Sequence, residues 1–120
     1  MSGVELGHLI VPVADLEAGL AFCEQTLGLP VKFRDGDRYA ALDGGRGTLA
    51  LAAPEEQPVA GAVAIGLKVE DLDAVEKRLR EAGATIVGER IVGGHEQRLV
   101  FLDPDGNAFV AYQPLAGGAA

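Results

Sequence analysis

The sequence predicts an α+β fold of two tandem βαβββ modules, whose eight strands form a curved mixed sheet around a cleft. Three observations predict it. The chain carries one phrase twice: strand, Asp-Leu, helix, Gly over GHLIVPVADLEAGLAFCEQTLG, and again over VAIGLKVEDLDAVEKRLREAG. Asp15-Leu16 and Asp71-Leu72 lie about half the chain apart, which marks two large modules rather than many short repeats. Two apolar stripes recur at helical spacing, and the segments around them are short apolar runs punctuated by turn residues.

The elements follow in order. Leu6 to Val13 is apolar and β-branched, hence a strand. Asp15 is an N-cap. Leu16, Leu20, Cys23 and Leu27 form one helical stripe, and Gly28 stands where a glycine ends a helix. Pro30 to Arg34 is a strand, Asp35-Gly36 predicts a two-residue hairpin, and Arg38 to Leu42 returns. Asp43 to Gly47 is a loop before the strand Thr48 to Ala53. Module 1 therefore covers residues 4–53, and PEEQPVAG (54–61) reads as a linker.

Module 2, residues 62–114, repeats the order. Val63 to Val69 is a strand, and Asp71 caps a helix that buries Leu72, Val75, Leu79 and Ala82. Glu76 and Arg80 can pair at i, i+4 on its outside, and Gly83 ends it. Ala84 to Val92 and Gln97 to Leu102 are strands about a Gly93-Gly94 turn. Asp103-Pro104-Asp105-Gly106 has Pro at i+1 and Gly at i+3, the pattern of a type I turn, and Ala108 to Gln113 is the last strand. Residues 115–120 are expected to be a frayed tail. The helices are expected on one sheet face, with the other face free for a cleft.

Composition narrows the function. At 120 residues, the chain can bury the core of one domain. Lys and Arg number 10 against 18 Asp and Glu, a net charge of −8. That argues against nucleic acid and anionic membrane surfaces as partners. It suits a cationic ligand, although keeping the protein soluble is the commoner role of such charge. One cysteine, Cys23, excludes an intrachain disulfide. Its place on the helical stripe makes it a buried thiol rather than a nucleophile. No signal sequence and no membrane span is visible, so a cytoplasmic setting is expected.

The order of elements resembles the vicinal-oxygen-chelate superfamily of glyoxalase I, extradiol dioxygenases, and fosfomycin- and bleomycin-resistance proteins. The residues carrying the resemblance are His8 to Leu16, Ala21-Phe22 and Leu27-Gly28, then Val69 to Leu72 and Phe101 to Asn107, whose DPDGN turn looks like the family's own. The resemblance spans Leu6 to Gln113. It implies the fold strongly and the activity weakly, because this fold hosts several chemistries.

Metal enzymes of that superfamily place four ligands on the concave faces of four strands. Carried over by position, they fall on His8, Ala50, Ala64 and Val110. A divalent metal needs several donors at about 2.0–2.6 Å, and alanine and valine have none. No metal and no cofactor are therefore expected, unless His95, Glu96 or Glu89 supply replacement ligands. Without the metal, glyoxalase-type proton transfer and extradiol dioxygenation lose both Lewis acid and carboxylate base. No Ser-His-Asp or Cys-His set and no phosphate loop replaces them, so no catalytic residue is assigned.

An apolar cleft suits an organic ligand, and metal-free superfamily members include drug-sequestering, dimeric bleomycin-resistance proteins. By strand alternation the inward residues are His8 and Ile10; Thr48, Ala50 and Ala52; Ala64 and Gly66; and Ala108, Val110 and Tyr112. Tyr39, Phe33 and Phe101 are further aromatic candidates, with core the better placement for Phe33 and Phe101. The predicted ligand-binding set is His8, Ile10, Tyr39, Ala50, Ala64, Phe101, Val110 and Tyr112. Aromatics are only 5% of residues and Trp is absent, which leaves little stacking surface for a planar drug. The leading expectation is metal-independent binding of a small organic molecule by a homodimer, as in antibiotic sequestration. The alternatives are a lyase, isomerase or dioxygenase with displaced ligands, and a non-catalytic protein-interaction module.

Overall fold

The computed structural model of the chain describes residues 3–115. The predicted tail lies outside them from residue 116 onward. The strands are β1 (Val4–Pro12), β2 (Val31–Asp35), β3 (Tyr39–Asp43), β4 (Thr48–Ala52), β5 (Ala64–Val69), β6 (Thr85–Val92), β7 (Glu96–Leu102) and β8 (Ala108–Pro114). The first helical segment, α1, is α-helical over Leu16–Leu20 and continues as a π-helix over Ala21–Thr26. The second, α2, is a regular α-helix over Leu72–Glu81. The order βαβββ thus occurs twice, in an α+β fold. Each boundary lies within about two residues of its sequence expectation, the usual uncertainty of element ends.

Contacts divide the described residues into two compact units, residues 8–64 and residues 3–7 with 65–115. The opening residues of β1 therefore count with the second half of the chain, which the repeat alone does not suggest. In the unit 8–64 the strand order is β2-β3-β4-β1, and β1 runs parallel to β4 while the other pairs are antiparallel. In the other unit the order is β5-β8-β7-β6, with antiparallel β8-β7 and β7-β6 pairs. Parallel and antiparallel pairing together make the sheet mixed.

Each helix covers one face of its own strands. Leu16, Leu20 and Cys23 pack with Ala40, Leu42 and Leu51, flanked by Val11, Val13 and Leu49. Leu72, Val75 and Leu79 pack with Val69, Leu99, Phe101 and Ala111. Both helices begin on an aspartate cap: Asp15 Oδ1 accepts from the Glu17 N–H at 3.0 Å, and Asp71 Oδ1 from the Ala74 N–H at 3.1 Å. Outside α2, Glu76 accepts from Arg80 Nε at 3.0 Å, the pairing its i, i+4 spacing predicts.

Three expectations are corrected. The first hairpin closes through Gly36-Asp37-Arg38, with Asp35 opposite Tyr39 and the Arg38 N–H donating to the Asp35 carbonyl at 3.1 Å, so its loop has one residue more than the Asp-Gly pair suggests. Leu27 leaves the core and is 56% exposed. The Leu27 N–H donates to Phe22 O, five residues back, so each residue of this turn advances by less than an α-helical step and the stripe drifts outward. Ala82 is the exposed C-cap residue of α2, beyond the face that Leu72, Val75 and Leu79 bury.

Candidate functional site

Helix packing settles which side chains lie on the uncovered face of each unit. In the unit 8–64, Val11, Leu49, Leu51, Ala40 and Leu42 turn toward α1. Alternation then turns His8 and Ile10 of β1, Thr48, Ala50 and Ala52 of β4, and Tyr39 and Ala41 of β3 to the opposite side. The register aligns them in rows: His8 beside Thr48, Ile10 beside Ala50, Ala50 beside Ala41, and Ala52 beside Tyr39. Phe33 stands opposite Ala41, on the same side, and is 57% exposed rather than in the core. Its strand is the sheet edge, with no outer strand beside it among the described residues.

In the other unit, Leu67, Val69, Leu99, Phe101, Phe109 and Ala111 turn toward α2. The uncovered face carries Ala108, Val110 and Tyr112 of β8 and Arg98, Val100 and Leu102 of β7. They pair as Leu102 with Ala108, Val100 with Val110, and Arg98 with Tyr112. Gly66 and Lys68 share the parity opposed to Leu67 and Val69.

Phe101 therefore leaves the candidate set. It is buried on the helix side and stacks on Phe109 with ring centroids 5.4 Å apart. Its parity follows from pairing across the Asp103–Gly106 turn, where Leu102, not Phe101, shares the side of Ala108 and Val110. Arg98 was missed: counting back from Val110 through that turn would have placed it beside Tyr112.

The positions expected from the resemblance are His8, Ala50, Ala64 and Val110, three of which have hydrocarbon side chains. His8 carries the one imidazole among them. Ala50 and Ala64 have no exposed surface and Val110 has 3%. Among the described residues, no group of three or more His, Cys, Asp or Glu side chains converges. The residues present do not fit the superfamily's metal.

Electrostatics sharpen the picture. Burial lowers the His8 pKa, because the charged imidazolium is the form that loses hydration. His8 is then a neutral donor–acceptor at neutral pH. Burial also raises the Tyr112 pKa, and the charges of Glu96 and Glu5 add to the rise. Arg98 stands 3.6 Å from Glu96. Ala50, Ala64 and Val110 are closed over, whereas His8, Tyr39, Thr48, Arg98 and Tyr112 keep part of their surface in solvent. An open groove of about 420 Å³ runs along the outside of α2, lined by Glu70, Asp71, Val75, Lys77 and Arg78 among others. It lies on the helix side of its sheet and touches none of the candidate residues.

The model of the Glyoxalase/Bleomycin resistance protein/Dioxygenase superfamily matches residues 5–111. The chain belongs to this superfamily. A relative from Mycolicibacterium smegmatis, described only as an uncharacterized protein, is 42% identical over 96% of this chain and 98% of its own. An ethylmalonyl-CoA/methylmalonyl-CoA epimerase from Cereibacter sphaeroides is 31% identical, covering 82% of this chain and 87% of its own. A superfamily member from Vibrio splendidus 12B01 superposes with a TM-score of 0.74 at 20% identity, over 92% of this chain and 98% of its own, which shows a shared fold.

Proposed function

We propose that this superfamily member binds a small organic molecule without a metal. What supports the reading is that the positions the resemblance assigns to metal donors hold Ala50, Ala64 and Val110, all nine-tenths or more buried. None of these three side chains has a donor atom that could replace the water a bound cation gives up. The same replacement favours apolar contact, and the polar candidates for orienting a ligand are His8 and Tyr39 on the uncovered face of the unit 8–64 and Tyr112 on that of the other unit. Antibiotic sequestration by a cytoplasmic homodimer is the specific form we favour, and the acidic net charge supports a cationic drug over an anionic one.

The test is thermal melting after treatment with EDTA, first with Zn²⁺, Ni²⁺, Mn²⁺ and Fe²⁺ and then with a panel of cationic and neutral antibiotics. A ligand that binds only the folded state raises Tm by mass action. The reading expects no metal shift and a saturable shift with an organic compound, abolished by Val110→Trp in a variant that still melts cooperatively. A saturable metal shift would overturn it.

A second reading is favoured by one observation, the 31% identity to an epimerase. It makes the protein an isomerase acting on an acyl thioester, with His8 as the base. Exchange of the substrate α-proton with deuterated water, lost in His8→Ala, would support that reading against the first.

A further inference from the structure

Gly7 stands inside β1, where a glycine forfeits side-chain packing and usually marks the close approach of another group. Its φ is not in the left-handed region, unlike that of Gly3, Gly28 or Gly36, so the backbone does not require glycine. Space does. A Cβ placed on Gly7 would fall 2.9 Å from Cζ and 3.0 Å from Cε1 of Tyr112, and closer still to its hydroxyl oxygen. Real Cβ atoms do not approach that closely, so the phenol occupies the volume that any other residue's side chain would take. Gly7 and Tyr112 belong to the same compact unit.

We propose that Gly7 is the positioning residue of Tyr112: the bare backbone of β1 is the seat that holds the phenol on the uncovered face, beside Arg98. This rests on the reading of that face as the ligand-binding one. The seat explains two features together. Tyr112 is half-buried although its strand neighbours on that face, Val110 and Ala108, are small. Its hydroxyl also sits within the field of Glu5, two residues before Gly7, and of Glu96, whose carboxylate is shared with Arg98. A tyrosine has only two side-chain torsions, so with the ring end seated its hydroxyl is held in one place at little entropic cost. The ligand group it would recognise is a polar head able to exchange a hydrogen bond with a phenol.

Gly7→Ala is tolerated by the backbone, so its whole effect falls on the ring, which must swing away. With no Trp and two Tyr in the chain, a Tyr39→Phe background makes Tyr112 the one chromophore of its kind. Two ligand-independent signals report the seat: the nuclear Overhauser contact between the Gly7 α-protons and the Tyr112 ring, and the phenol's ionisation midpoint by ultraviolet absorbance. The expected result is a strong contact in the parent. In Gly7→Ala the contact between residue 7 and the ring is lost and the midpoint falls toward 10, and the Gly7→Ala/Tyr112→Leu double variant melts at a higher temperature than Gly7→Ala. A folded Gly7→Ala with the contact and midpoint unchanged would overturn the proposal. So would a Gly7→Ala defect, including failure to fold, that Tyr112→Leu does not relieve.

Binding of 8-anilinonaphthalene-1-sulfonate to the native fold separates this from the functional reading. If the seat is present but neither Tyr112→Leu nor Val110→Trp alters dye binding, the positioning stands and the assignment of the binding face fails.

Discussion

The two helical segments begin alike and end differently. Both follow an Asp-Leu pair, both are capped by the aspartate side chain, and both put the leucine after the cap into a core at 2% exposure or less. Beyond that first turn, α2 keeps the α-helical ladder. Its outer face is tied by Arg90, whose guanidinium donates to Asp73 at 2.6 Å and to Glu76 at 2.6 Å, while Glu76 also accepts from Arg80. The other segment widens into a π-helix after Leu20 and carries Phe22 and Leu27 into solvent, 57% and 56% exposed. One repeat in sequence has therefore become a charged, regular helix in one unit and an apolar, widened one in the other. Sharing a phrase fixes how a helix starts, because caps are local; it does not fix how the helix ends, because that depends on what the strands beneath accept.

The comparison can be broken first at the cores. Leu42 and Leu72 are both fully buried, Leu42 on β3 beneath α1 and Leu72 on α2 itself. Truncation to alanine should cost about 2–5 kcal/mol at either site. Urea melts would check this, and a cost below about 1 kcal/mol at one site would show that its unit contributes little to the cooperative fold. Next come the caps: Asp15→Ala and Asp71→Ala should each cost about 1 kcal/mol, and nearly equally, because the local geometry is the same. Unequal costs would mean that the two starts are not equivalent in solution.

The helix ends give a smaller and more telling contrast. Leu27→Ala should stay within about 0.5 kcal/mol of the parent, whereas Leu79→Ala, in the α2 core, should cost clearly more in the same melts. A large Leu27 effect would restore the regular stripe that the sequence suggests.

Acid should sharpen the contrast last. Burial depresses the His8 pKa, so its contribution is present above 6.5, the unfolded value, and is lost as pH falls through the folded value. Glu76 is depressed by its hydrogen bonds from Arg90 and Arg80, so its contribution is present above 4.5 and is lost below it. Hydrogen exchange across pH 7 to 3 should show the β1–β4 strands around His8 losing protection before α2. His8→Gln should remove the first step and Glu76→Gln the second.

Much of the fold was legible because its signals are local. Asp15 and Asp71 announce helix starts, Asp103-Pro104-Asp105-Gly106 closes a turn in which the Gly106 N–H donates to Asp103 O at 3.0 Å, and alternation places Ala50 and Val110 once one residue of each strand is anchored. The parity of His8, Ile10 and Tyr112 needs only their own strands. Phe101 and Arg98 exchanged roles because their parity is inherited across a turn, and one residue of offset moves a side chain to the other face.

By itself, the sequence determined the two βαβββ orders, their aspartate caps and the Asp103–Gly106 turn, and that Ala50, Ala64 and Val110 carry no donor atoms. These follow from residue chemistry and short-range periodicity, which need no knowledge of distant neighbours. Only the tertiary structure decided that the first helix widens at Ala21, that Phe33 is exposed on an edge strand while Phe101 is buried, and that Gly7 yields its side-chain space to Tyr112. Each of these depends on which segment arrives beside which. The ring of Tyr112 and the backbone of Gly7 lie at nearly opposite ends of the chain, and no local pattern records that they share one volume.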